Sequence, residues 1–113
     1  MKIEAQKRLR DIADCCAAAG RFAAGKTFSD YLADELLRSA IERKLGIIGE
    51  AFVKLEEADP VQVEQFPDLR KIVGMRNRIV HGYDQLDEEL VWDVVRNKLP
   101  VLQKQVESLL KQK

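Results

Sequence analysis

Three prolines, at positions 60, 67 and 100, and only six glycines punctuate the 113 residues. Proline removes a backbone donor and clashes with the preceding helical turn, so its scarcity leaves long stretches free to be helical. Those stretches are rich in Ala, Leu, Glu, Lys, Arg and Gln, with β-branched residues scattered among them, which favours helix over strand. An all-α chain follows, and its length suits a single domain, residues 1–113, with a modest core needing neither disulfide nor metal.

The spacing of apolar residues predicts the helices. The first covers about residues 2–22, with Leu9, Ile12, Ala13, Cys16 and Ala19 or Gly20 on one stripe. The run Ala23-Ala24-Gly25-Lys26-Thr27 is the expected break. Ser29 is the expected cap of a long second helix over 30–57, with Leu37, Ile41, Leu45, Ile48, Phe52 and Leu55 facing inward. A second row, Leu36, Ala40, Ile47 and Ala51, widens that face enough to touch two neighbours. Asp59-Pro60 opens a short segment that Phe66-Pro67 closes, because a residue before proline is steered from helical angles. A further helix is expected over 68–81, ended by Gly82 and followed by the connection 83–86. Asp87 should cap the last helix, whose stripe is Trp92, Val95, Leu99, Leu102, Val106 and Leu109, and Pro100 should kink or divide it. The expected architecture is an up-and-down bundle of four main helices plus a short one.

Charge narrows the function. Nineteen basic and nineteen acidic residues cancel, so no global field draws the molecule onto nucleic acid or an anionic membrane. No apolar run approaches the roughly 20 residues that cross a bilayer, and Met1-Lys2-Ile3-Glu4 turns polar too soon for a signal peptide. A cytoplasmic protein with no membrane association is expected. Cys15 and Cys16 are adjacent, and on a helix they diverge by about 100°, which suits packing better than a shared metal or a disulfide. With one histidine in the chain, a His/Cys zinc site lacks ligands; carboxylates leave Mg²⁺ open, but nothing groups the acids into a site, and neither metal nor cofactor is expected.

Chemistry concentrates in one segment. The apolar stripe of the 68–81 helix reads Leu69, Ile72, Val73, position 76, Ile79, Val80 and position 83, and position 76 is Arg76. A guanidinium in such a stripe must be paired or face a wet cavity. One reading makes it a buried ion-pair partner of a carboxylate such as Glu50 or Glu42. Asn77 and His81 stand four apart on one face, and Arg76 and Tyr83 stand seven apart. From position 69 to 82 there are four cations, Arg70, Lys71, Arg76 and Arg78, and no acid. Such a patch is either a solvated helix face or an anion site. Arg76 presents a fork of donors to phosphate oxygens, His81 exchanges a proton near neutral pH, and Asn77 or Tyr83 can orient either. Metal-independent RNA cleavage needs a base for the 2′-hydroxyl, an acid for the leaving 5′-oxygen, and a cation for the charge on phosphorus. If both proton carriers are imidazoles, a second chain must supply the second, which favours a symmetric dimer.

The segment Gly74-Met75-Arg76-Asn77-Arg78-Ile79-Val80-His81-Gly82-Tyr83 resembles the Arg-x4-6-His signature of HEPN domains. It has the Arg-Asn-x-x-x-His-x-Tyr form of the HepT toxins that pair with MNT nucleotidyltransferase antitoxins. The stretch from Ala40 to Ala51 and the region from Trp92 to Pro100 agree, so the resemblance covers nearly the whole chain in order. It implies a HEPN-like helical bundle, a homodimer with its cleft at the interface, and metal-independent endoribonuclease activity on RNA. Arg76 and His81 carry over as catalytic and Asn77 as supporting, while Arg70, Lys71 and Arg78 supply the cations expected to meet RNA. Tyr83 carries over as the hydroxyl that the partner, in some HepT–MNT pairs, modifies with AMP from ATP. A non-catalytic helical module that binds RNA, a nucleotide or the partner is the alternative, and a purely structural bundle the third reading.

Overall fold

The computed structural model describes residues 1–68, 71–74 and 87–112, and every regular element among them is helical. Helix α1 spans Ile3–Ala23, α2 Phe28–Ala33, α3 Glu35–Ala58 and α4 Pro60–Val63. Residues 71–74 are helical. Helix α5, Glu88–Asp93, then passes through a π-helical stretch, Val94–Lys98, into α6, Leu99–Lys111. The expected end of the fourth helix, its stop at Gly82 and the 83–86 connection lie outside the described residues.

Helices α1, α3 and α6 make the core. The amphipathic stripe of α3 buries all six expected residues, Leu37, Ile41, Leu45, Ile48, Phe52 and Leu55. On α1, Leu9, Ile12, Ala13, Cys16 and Ala19 are buried, while Gly20 faces outward. Val91, Val94, Val95, Leu99, Leu102 and Val106 close the core from the C-terminal run. The Lys2 ammonium donates to the Ala58 carbonyl at 2.9 Å, so α1 begins where α3 ends and the two run antiparallel. Arg96 reaches the Lys26 carbonyl just past the end of α1, and α6 packs back along α1. The up-and-down order is thereby set, and no described helix is long and apolar enough to cross a membrane. The second row on α3 is graded: Ala51 is buried, Ala40 and Ile47 are half-buried, and Leu36 is 80% exposed.

The long second helix expected over 30–57 is two helices. Gly25 turns the chain after α1 at φ 73°, a left-handed angle that glycine adopts without a Cβ penalty. Thr27, not Ser29, is then the cap. Its hydroxyl accepts from the Asp30 N–H at 3.1 Å, and the Asp30 carboxylate accepts from the Thr27 N–H at 2.9 Å. This reciprocal pair satisfies two otherwise orphan donors, which one serine at position 29 cannot do. Asp34, extended at φ −113° and ψ 96°, ends α2, and its side chain accepts from the Leu37 N–H at 3.1 Å to start α3. The short segment after Asp59-Pro60 is α4, and beyond it Val63 and Phe66 are buried.

Pro100 divides the last helix as expected, through a change of winding. Without an N–H, Pro100 cannot donate four residues back, and its ring crowds the carbonyl there. The backbone takes up the mismatch by widening, and the Leu99 N–H reaches the Val94 carbonyl five residues earlier. Asp87 caps α5 as expected, accepting from the Leu90 N–H at 3.1 Å.

The two candidate caps can be told apart. Thr27→Ala should cost about 1 kcal/mol of unfolding free energy, and Ser29→Ala should stay within about 0.5 kcal/mol of wild type. Urea denaturation followed by circular dichroism measures both; the reverse ranking would restore the single long helix.

Candidate functional site

Of the residues singled out by sequence, Lys71 lies among those described. It is exposed on the helical residues 71–74. Arg70, Arg76, Asn77, Arg78, His81 and Tyr83 lie outside the described residues. The site is therefore built from the two places where the chain leaves and re-enters the described fold.

On the entering side, Ile72 is 2% exposed and Val73 packs against the core, so helical spacing leaves Lys71 and Gly74 outward. The Lys71 N–H donates to the Asp68 carbonyl at 3.1 Å, one turn after Pro67. On the returning side, Asp87 caps α5 and Glu88 is held by two elements. The Tyr31 hydroxyl donates to Glu88 Oε1 at 3.0 Å, and Arg38 Nε stands 3.8 Å from Glu88 Oε2. Arg38 also donates to the Leu32 and Tyr31 carbonyls at the end of α2. A buried tyrosine, an arginine and a carboxylate from α2, α3 and α5 thus fix the point of return.

Burial, then the hydrogen bond and negative charge of Glu88, make the Tyr31 phenol harder to deprotonate than usual. Glu42 belongs to the same group. Its carboxyl is pushed above the usual range by burial, then by the charge of Glu88, with Arg38 opposing both. Of the two acids offered as partners for a buried arginine, only Glu42 stands in this half-buried polar group, because Glu50 is exposed. Sequence reasoning missed Tyr31, Arg38 and Glu88. A signal existed for the first, since a tyrosine among core positions needs a partner for its hydroxyl.

Among the described residues, no group of three or more His, Cys, Asp or Glu side chains is placed to hold a metal ion. Cys15 and Cys16 are buried free thiols. Burial pushes Cys16 up to about 12 and raises Cys15 as well, so neither thiol is poised as a nucleophile. Their expected packing role stands.

The raised pKa of Glu42 has a stability consequence. A carboxyl that binds its proton more tightly in the folded state contributes most below the ordinary carboxylate range, and that contribution is lost as pH rises through the raised value. Glu42→Gln, neutral at every pH, should therefore be at least as stable as wild type at neutral pH, with the gap closing as pH falls to about 4. Paired urea titrations across pH measure the gap; one that widens on acidification contradicts the assignment.

The chain matches the family model "Ribonuclease HepT-like" over residues 12–109, a span that contains positions 76–83. A Thermococcus cleftensis protein named "Probable ribonuclease HepT" is 30% identical over 111 residues, 98% of this chain and 100% of its own length. A Caldanaerobacter subterraneus protein named "Putative RNase" is 33% identical over 86 residues, 76% of each chain. A Methanocaldococcus jannaschii protein of the same designation is 30% identical over 105 residues, 93% of this chain and 80% of its own length. Among solved structures, none matches.

Proposed function

Because the chain belongs to the HepT-like ribonuclease family, we propose that it is a metal-independent endoribonuclease whose catalytic residues are Arg76 and His81. The observation that carries this reading is the family match, which runs through Arg76-Asn77-Arg78-Ile79-Val80-His81 and is joined by relatives named as RNases over most of the chain. The chemistry needs few groups. An imidazole removes the proton of a 2′-hydroxyl, and the oxygen attacks the adjacent phosphorus. A second imidazole protonates the departing 5′-oxygen, leaving a 2′,3′-cyclic phosphate. The Arg76 guanidinium balances the charge that grows on the phosphoryl oxygens. Asn77 orients His81, and Arg70, Lys71 and Arg78 hold the strand through its phosphates.

With both proton carriers imidazoles and one histidine per chain, the active unit of this reading is a homodimer with one imidazole from each chain at a shared cleft. In the cell the protein is the toxin of a toxin–antitoxin pair, acts in the cytoplasm, and is silenced by an MNT-type nucleotidyltransferase. An AMP group on Tyr83 adds phosphate charge and bulk beside cations that would otherwise hold RNA.

Arg76→Ala and His81→Ala should each lower cleavage of a labelled RNA by about 10²- to 10⁴-fold while helical content and melting temperature stay near wild type. Cleavage by wild type should persist in excess EDTA. Loss of fold along with activity returns Arg76 to a structural ion pair, and sensitivity to EDTA overturns the metal-free mechanism. Incubation with the partner and ATP should add one adenylyl mass to wild type and none to Tyr83→Phe, as read by intact mass spectrometry. Equal mass on both proteins would place the modification elsewhere.

A further inference from the structure

A groove of about 610 Å³ lies between the α1–α2 turn and the outer face of α5 and its π-helical continuation. Its walls carry two aromatic rings, Phe28 and Trp92, two cations, Lys26 and Arg96, and two carboxylates, Glu89 and Asp93. The wider winding at Val94–Lys98 places Arg96 so that its guanidinium carbon stands 5.7 Å from the centre of the Trp92 ring. The same guanidinium donates to the Lys26 carbonyl at 3.2 Å, across the groove. The Trp92 ring also packs on Tyr31 at 5.0 Å between centroids, and Phe28 stacks on Tyr31 at 6.3 Å. Asp93 accepts from the Asn97 side-chain amide at 2.7 Å, and Glu89 is the rim carboxylate with no such partner among the described residues.

We propose that this groove is a nucleotide subsite in which one base of a single-stranded RNA stacks against the Trp92–Arg96 pair. Planar aromatic and guanidinium surfaces are how unpaired bases are held, and they suit a base better than a helix or a lipid. Lys26 and Arg96 meet the phosphate beside that base. Glu89 accepts from its amino edge, which sets a nucleotide apart from bare phosphate, since a carboxylate repels the latter. Among the described residues, the most exposed large apolar side chains, Ile3, Leu36 and Val61, are not in the groove, whose two rings are flanked by cations and carboxylates instead. The volume is within the range of small-ligand clefts. This subsite rests on the ribonuclease reading for the source of its nucleotide, though not for its existence.

Trp92 is the chain's only tryptophan, so its fluorescence reports on the groove alone, whatever the state of catalysis. A short 2′-O-methyl oligoadenylate, which cannot be cleaved through a 2′-hydroxyl, should quench that fluorescence saturably, and AMP should do so more weakly. Arg96→Ala and Lys26→Ala, both at exposed positions, should each weaken the oligonucleotide about tenfold with helical content unchanged. Affinity should fall with salt at a slope of about −0.7 per phosphate contacted. AMP binding as tightly as the oligonucleotide overturns the RNA strand as occupant and leaves a free nucleotide. Absence of quenching by either probe overturns the subsite, with the ribonuclease reading untouched. Quenching in a protein that cleaves no RNA supports the subsite and sinks the catalytic reading instead.

Discussion

Tyr31 is the only fully buried side chain with a hydroxyl among the described residues, and much of the arrangement around it follows from finding that hydroxyl an acceptor. The acceptor is Glu88, fifty-seven positions later in the chain, in the first turn of α5. An unsatisfied buried hydroxyl costs about 1–3 kcal/mol, so the pairing is strongly selected over alternatives in which α5 starts elsewhere. Arg38 joins the pair from α3 and closes the end of α2 at the same time. Three helices are thereby registered at one point, and that point is where the chain returns from the segment of Arg76 and His81.

The same constraint explains why α2 exists. In one continuous helix, Tyr31 and Arg38 stand seven apart and share a face, so burying the first would bury the second. The extended residue Asp34 separates them. Tyr31 can then enter the core while Arg38 stays partly in water, where its charge is less costly.

The buried stripes of α1, α3 and α6 were legible because helical burial leaves a period that nothing else in the chain mimics. Leu37 to Leu55 read correctly to the residue. The break at Asp34 was not legible by that route, since the apolar period continues across it and the decision belongs to side chains that compete for backbone donors. Thr27 with Asp30 makes two such bonds where Ser29 offers one, a difference visible only when caps are weighed as pairs. At the candidate site, the sequence singles out Arg76 and His81 because arginine and histidine in an apolar helix pattern need a reason. The polar group of Tyr31, Glu42 and Glu88 was not legible, because its members come together only through tertiary packing. Trp92 read as a stripe residue and is one, yet its half-exposed ring also lines the groove.

The two adjacent thiols on α1 carry a consequence of a different kind. Cys15 and Cys16 are 7% and 2% exposed and resist deprotonation, so alkylating reagents meet them only when α1 parts from its neighbours. In the native chain burial and a raised pKa keep both thiols from acting as thiolate nucleophiles. Once α1 separates, two reactive groups emerge together. The rate at which they are labelled is thus a clock for opening of the core, carried by the native sequence.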